Sequence, residues 1–146
     1  MKIRDIIKAK GPTVYSIDPD SFVSDAIEML VRHGIGSLLV VEDSVPLGIF
    51  TERDTLRVCH TDAHRLGEIP VRDIMSTELI VGRLDDDVED VMSVMTEKRI
   101  RHIPIVEKHG AIAGLVSIGD IVKSQLHEHA TTVRYLKDYI TGNDIR

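Results

Sequence analysis

Two seven-residue stretches hold residues whose types and spacing could bind a ligand. Gly48-Ile49-Phe50-Thr51-Glu52-Arg53-Asp54 returns 66 residues further on as Gly114-Leu115-Val116-Ser117-Ile118-Gly119-Asp120. Each copy reads glycine, two apolar residues, a hydroxyl, two variable residues and an aspartate, as a strand running out into a helix would. Such a hydroxyl–carboxylate pair has two uses. It can close a capping box over the first N–H groups of the helix and need no ligand. It can also hold a ribose diol and the phosphate attached to it, helped by the helix N–H groups. The glycine favours a ligand, because it is poor in a strand unless the chain bends or something approaches the backbone closely. A third cluster, Arg101-His102-Ile103-Pro104, opens an apolar strand. Its arginine fork suits phosphate oxygens, but a solvated charge at a strand entrance explains it equally well.

Other chemistries find no such constellation. The chain has no Gly-x-x-x-x-Gly-Lys phosphate loop, no Gly-x-Ser-x-Gly elbow and no His-Glu-x-x-His, the spacings that phosphate cradling, a nucleophilic serine and catalytic zinc require. No metal site is expected. Cys59-His60-Thr61-Asp62-Ala63-His64 offers donors within one short segment, whereas structural zinc draws ligand pairs from separated segments, and a polar surface linker accounts for it. His127 and His129 are two apart, which on a helix points them in different directions. The candidate sites are therefore equipped to hold a nucleotide and not to split it.

Composition narrows the partners. The 146 residues are 42% hydrophobic with a formal net charge of −6, a globular chain without the basic excess of a nucleic-acid-binding surface. With two Phe, three Tyr and no Trp, a nucleobase is expected to lie between aliphatic side chains and backbone. The single Cys59 forms no intramolecular disulfide and fits a reducing compartment. Met1-Lys2-Ile3-Arg4-Asp5 leads into no apolar signal region, and the longest apolar run, Leu38 to Val41, is far too short to span a bilayer. A cytoplasmic protein without membrane association is expected.

The elements that position the motifs repeat as well. Val23, Ala26, Ile27 and Leu30 map onto Val88, Val91, Met92 and Met95 at an offset of 65, with the spacing of a helix's buried face. Strands are expected ahead of them at Val14 to Ile17 and Leu79 to Val81. The apolar runs beginning at Ser37 and His102 follow, then a turn and the glycine strand. Arg4-Asp5-Ile6-Ile7 matches Arg72-Asp73-Ile74-Met75, with extra length in a Lys8-Ala9-Lys10-Gly11-Pro12 stretch that reads as a mobile basic loop. One unit is strand, helix, strand, strand, helix, too small to be stable alone. After the second unit, 121 to 140 reads as one long helix, against Thr55 to Cys59 in the first. Val122, Leu126, His129, Val133, Leu136 and Ile140 form a coiled-coil seam ended by Gly142.

The twin Gly-x-x-[Thr/Ser]-x-x-Asp ends, the strand Arg101 to Val106 and the Arg72-Asp73-Ile74-Met75 entry resemble a tandem pair of cystathionine-β-synthase (CBS) domains, a Bateman module of the stand-alone type. The resemblance implies an α/β (α+β) fold of two pseudo-symmetric repeats packed sheet to sheet. It divides the chain into a first repeat at 1–60, a linker at 61–70, a second repeat at 71–124 and a C-terminal helical extension at 125–146. It implies a non-enzymatic regulatory module that binds an adenine nucleotide (AMP, ADP, ATP or NAD(H)) in clefts between the repeats, forms a homodimer and signals to an unidentified protein. The alternatives are an S-adenosylmethionine sensor and a structural dimerisation module without a ligand. Carried over residue by residue, Asp54 and Asp120 hold ribose, with Thr51 and Ser117 by the ribose and phosphate. In the site of Ser117 and Asp120, Arg101 and His102 bind phosphate, and Ile103 and Pro104 line the adenine edge. The first repeat has Gly36, Ser37 and Leu39 where the second has Arg101, His102 and Pro104. Its site is expected to use Ser37, with Arg53 as a partial substitute for the missing cations.

Overall fold

The computed structural model describes residues 1–11 and 13–128. Among them the chain builds the same unit twice. In the first, β1 (Ser16–Ile17), α2 (Val23–His33), β2 (Ser37–Glu42), β3 (Val45–Thr51) and α3 (Glu52–Asp62) follow α1 (Ile3–Lys10). The second consists of β4 (Gly82–Arg83), α4 (Val88–Lys98), β5 (His102–Val106), β6 (Ile112–Ser117) and α5 (Ile118–Glu128). Each sheet has three strands in sequence order, the first pair parallel and the second antiparallel. Both carry a register shift at the same place, Val40/Val41 and Ile105/Val106. The fold is α/β with two pseudo-equivalent halves.

Each half keeps its own core. Val23, Ala26 and Leu30 of α2 pack with Leu38, Val40 and Phe50, while Val88, Val91 and Met95 of α4 pack with Ile103, Ile105 and Val116. Leu39 shows why two halves are needed. The strand period turns it away from Leu38 and Val40, yet it has no exposed surface and lies in neither core, so the far face of the first sheet is covered too.

The cores are not contiguous in sequence. Ile3 and Ile6 of α1 belong to the second core, and Val71, Ile74 and Met75 to the first. Backbone bonds fix both crossings, from Ile3 and Arg4 N–H to Asp86 and Leu84 C=O on one side. On the other side, the N–H groups of Val71 and Arg72 donate to Ser21 and Pro19 C=O. Arg4 pairs with Asp85, and Arg72 lies 3.0 Å from Asp20 and 3.2 Å from Glu42. Each half thus begins with the segment that precedes the other.

Several expectations are revised. The short strands lie at Ser16–Ile17 and Gly82–Arg83 because only these residues reach parallel partners in β2 and β5. The first terminal helix begins at Glu52, straight after Thr51, not at Thr55. Lys8 and Lys10 belong to α1 and not to a loop. The 61–70 stretch is more than a polar linker, since Ile69 is buried and accepts from Val23 N–H at 2.9 Å. Of the 121–140 helix, α5 covers the part to Glu128; the seam positions from His129 onward lie outside the described residues.

Gly48 and Gly114 are where the exchanged segments come closest. A Cβ on Gly48 would lie 2.6 Å from Ser76 O, and one on Gly114 would lie 2.5 Å from Ile7 Cδ1. The first contact is with backbone held by a two-way bridge between Ile49 and Ser76, whereas the second is with the end of a side chain that can rotate away. Gly48→Ala should therefore cost about 1–3 kcal/mol and Gly114→Ala clearly less. Urea unfolding of the two variants checks this, and equal losses would show that the bridge yields as readily as a side chain.

Candidate functional site

Both hydroxyl–carboxylate motifs close as capping boxes. Thr51 N–H donates to Asp54 Oδ2 at 2.9 Å, and Asp54 N–H returns a bond to Thr51 Oγ1 at 3.4 Å. Ser117 N–H donates to Asp120 Oδ2 at 2.9 Å, and Asp120 N–H to Ser117 Oγ at 3.1 Å. The boxes commit one carboxylate oxygen of each motif and leave the other uncommitted to the cap. Their reach beyond the cap depends on what lies across from them.

Across from Thr51 and Asp54 lies a cavity of about 440 Å³ between the two halves, within the size range of small-molecule sites. Thr51, Arg53 and Asp54 form one wall, and Arg101, His102 and Pro104 form the other. Arg101 and His102 thus line the cavity of the first motif, which the residue-by-residue reading did not give them, while His102 also stays opposite Ser117 in register and near enough to Lys10 and Asp120 to feel their charges. The cause is strand alternation: β5 turns Ile103 and Ile105 into its own core, so His102 and Pro104 point away from it, toward the other half. Ile103, only 2% exposed, is a core residue and does not line this cavity. Ser37 does not line it either. It is buried at the start of β2, opposite Thr51 in register, and the repeat offset makes it the counterpart of His102 on the other side of the interface.

The same cavity takes in residues that the motifs did not reveal. Arg57 stands one turn beyond Arg53 on α3, a spacing that could have flagged it. Arg99 precedes β5, and Glu78 and Ile80 come from the exchanged segment. That segment reaches the cavity only through tertiary crossing, which no local pattern announces. Tyr15, 65 residues before Ile80, stacks on His33 with ring centroids 4.0 Å apart.

The second motif carries a partner of its own. Lys10 Nζ lies 2.8 Å from Asp120 Oδ2 and 2.6 Å from Leu115 O. Leu115 is the counterpart of Ile49, whose carbonyl accepts instead from Ser76 N–H. The lysine therefore replaces a backbone bridge and at the same time neutralises the motif carboxylate. Burial pushes the Asp120 carboxyl up, but hydrogen bonds from Lys10 and Ser117 and the Lys10 charge outweigh it and hold it below the usual carboxylate range. His102 also titrates below its ordinary value, chiefly through burial and then through the Lys10 charge, with Asp120 and Glu52 opposing. At neutral pH it is an uncharged hydrogen-bonding group and adds no positive charge to the cavity.

The CBS domain family matches residues 3–61 and 71–127. The chain belongs to the CBS-domain family. The mitochondrial CBS domain-containing protein CBSX3 of Arabidopsis thaliana is 38% identical over 149 residues, spanning 96% of this chain and 72% of that protein. The CBS-domain protein ATU1752 of Agrobacterium tumefaciens superposes with a TM-score of 0.81 at 32% identity, covering 86% of this chain and 99% of its own. CBSX2, solved in complex with AMP, shares the fold with a TM-score of 0.75 at 23% identity, over 88% of this chain and 98% of its own. Among the described residues, no three His, Cys, Asp or Glu side chains gather as a metal cluster. No described helix of this CBS pair is long and apolar enough to cross a membrane.

The Lys10–Asp120 pair has a definite pH signature. The folded carboxyl titrates below its unfolded value of ~3.9, so the pair's stabilisation is complete above that value and lost as pH falls through the folded one. Lys10→Met should lower stability at pH 7 by about 0.5–1 kcal/mol. The gap between variant and parent should narrow as pH is lowered below ~4. Urea midpoints measured from pH 7 downward test this, and a gap that stays constant into acid would mean that the loss is one of packing.

Proposed function

We propose that this CBS pair is a non-enzymatic sensor of adenine nucleotides (AMP, ADP, ATP or NAD(H)), with ligands held between the repeats. The observation that carries the reading is the meeting of Thr51 and Asp54 with Arg101, His102 and Pro104 around one cavity. Ribose hydroxyls would donate to Asp54, phosphate oxygens would accept from Arg101 and His102, and the base would lie against Ile80 and Pro104. The second ligand position would use Ser117 and Asp120, with Lys10 already in place. The AMP found in CBSX2 is consistent with this ligand class. Binding without turnover is part of this reading; the Oδ2 of Asp54 is tied into its cap and that of Asp120 into its cap and Lys10, which supports a holding role for both carboxylates.

Self-association belongs to the same reading. Leu56 of α3 and Val122 of α5 are repeat counterparts that stand 72% and 47% exposed. A homodimer would cover these two apolar positions and so transmit a change in the cleft to a regulated protein.

The closed capping boxes favour one other reading, a structural dimerisation module in which the motifs serve only their helices. Titration calorimetry with AMP, ATP, NADH and S-adenosylmethionine separates the two. The sensor should bind an adenine nucleotide, and Asp54→Asn should weaken every ribose-bearing ligand of the first cleft by about ten-fold or more. Asp120→Asn should act on the other position alone. Absence of heat for all four ligands at millimolar concentration would leave the structural module as the function. Preferential binding of S-adenosylmethionine would change the ligand class.

A further inference from the structure

Four arginines line the cavity of Thr51 and Asp54, more guanidinium forks than a single phosphate requires. Arg53 and Arg57 rise from α3 one turn apart, and Arg99 and Arg101 flank Ile100 at the entry to β5. Among the described residues none of the four is within ion-pair distance of a carboxylate, although Arg4, Arg32, Arg65 and Arg72 each are. Glu52, Asp54 and Glu78 also line the cavity, and they leave the guanidinium forks open. One fork with a helix N-terminus is enough for one phosphate group.

Arg99 adds an independent sign of a ligand. It ends α4 in the left-handed conformation, φ 55° and ψ 42°. Its counterpart 65 residues earlier is Gly34, at φ 60° and ψ 42°, the residue that adopts this geometry without a Cβ penalty. The two repeats make the same turn, one with the residue stability favours and one with a strained arginine on the cavity wall. Strain of this kind persists where the side chain has a use.

We propose that the Thr51–Asp54 cleft selects nucleotides carrying two or more phosphates, and that Arg99 is the residue that discriminates them from monophosphates. This rests on the reading of the cleft as a nucleotide site. Arg101 beside His102 would meet the first phosphate, while Arg99, Arg53 and Arg57 meet the charge beyond it.

The test uses Arg99→Gly and Arg99→Ala in the full chain, with calorimetric titration of adenosine, AMP, ADP and ATP. Arg99→Gly copies the Gly34 turn and should melt at or above the parent temperature; Arg99→Ala removes the guanidinium and keeps the Cβ. Both should lose about ten-fold or more in ATP and ADP affinity, with AMP changed less than about three-fold and adenosine unchanged. A parent protein that binds AMP as tightly as ATP, or variants that lose AMP and ATP equally, would overturn the proposal and leave the nucleotide site standing. A parent that binds none of the four would overturn the nucleotide site itself. An Arg99→Gly variant that retains full ATP selectivity would show that the remaining arginines suffice and that Arg99 is not the discriminating residue.

Discussion

The crossing of the two entry segments is the constraint on which everything else depends. A unit of three strands and two helices cannot cover both faces of its sheet, and one face must be covered by something outside the unit. Here α1 completes the second core through Ile3 and Ile6, and Val71 with Ile74 and Met75 completes the first. Neither half can close its core without the segment leading to the other, so the halves are tied by packing as well as by sequence. Gly48 and Gly114 permit the tie, because any Cβ there would meet the incoming segment.

The same crossing creates the cleft. It brings Ser76 to Ile80 alongside β3 of the opposite half and leaves β5's His102 and Pro104 facing Thr51 and Asp54. A ligand seated there touches both halves and the segment that joins them. Its binding energy is therefore available to shift how the halves sit against each other, which a ligand held by one half could not do.

Much of this was legible in the residues. The repeat offset, the α2 and α4 faces, the glycine strands and the hydroxyl–carboxylate pairs all follow from local pattern, and local pattern is what sequence periodicity records. The placing of Arg101 and Asp54 on one cavity was not legible, because it depends on which face of β5 the neighbouring half covers. Ile103 was misplaced for the same reason: a motif quoted as consecutive residues hides that alternate ones face opposite ways. Lys10 was hidden by the mismatch in repeat length between Ile7 and Tyr15, where alignment to the second repeat offers no counterpart and a loop is the natural reading. Arg99 could have been found by comparing the helix ends, since Gly34 marks a left-handed cap and an arginine at the matching position breaks the rule.

The two motifs, although equal in local geometry, are unequal in what they offer a ligand. Asp54 is 6% exposed and lacks a cationic partner within the ion-pair distance among the described residues; its cleft has arginines to spare. Asp120 is neutralised by Lys10, which spends two of its N–H groups on Asp120 and Leu115 and keeps one for an incoming anion. In the first cleft, arginines line the same cavity as the carboxylate without pairing with it. In the second, positive charge sits on the carboxylate itself. A ligand entering the second position must share Asp120 with Lys10 or displace it, and Lys10 is the last residue of α1, whose Ile3 and Ile6 lie in the second core. Occupation of that position therefore bears on the packing of a half, while occupation of the first bears on the contact between halves. A duplicated motif can in this way give one chain two differently coupled responses.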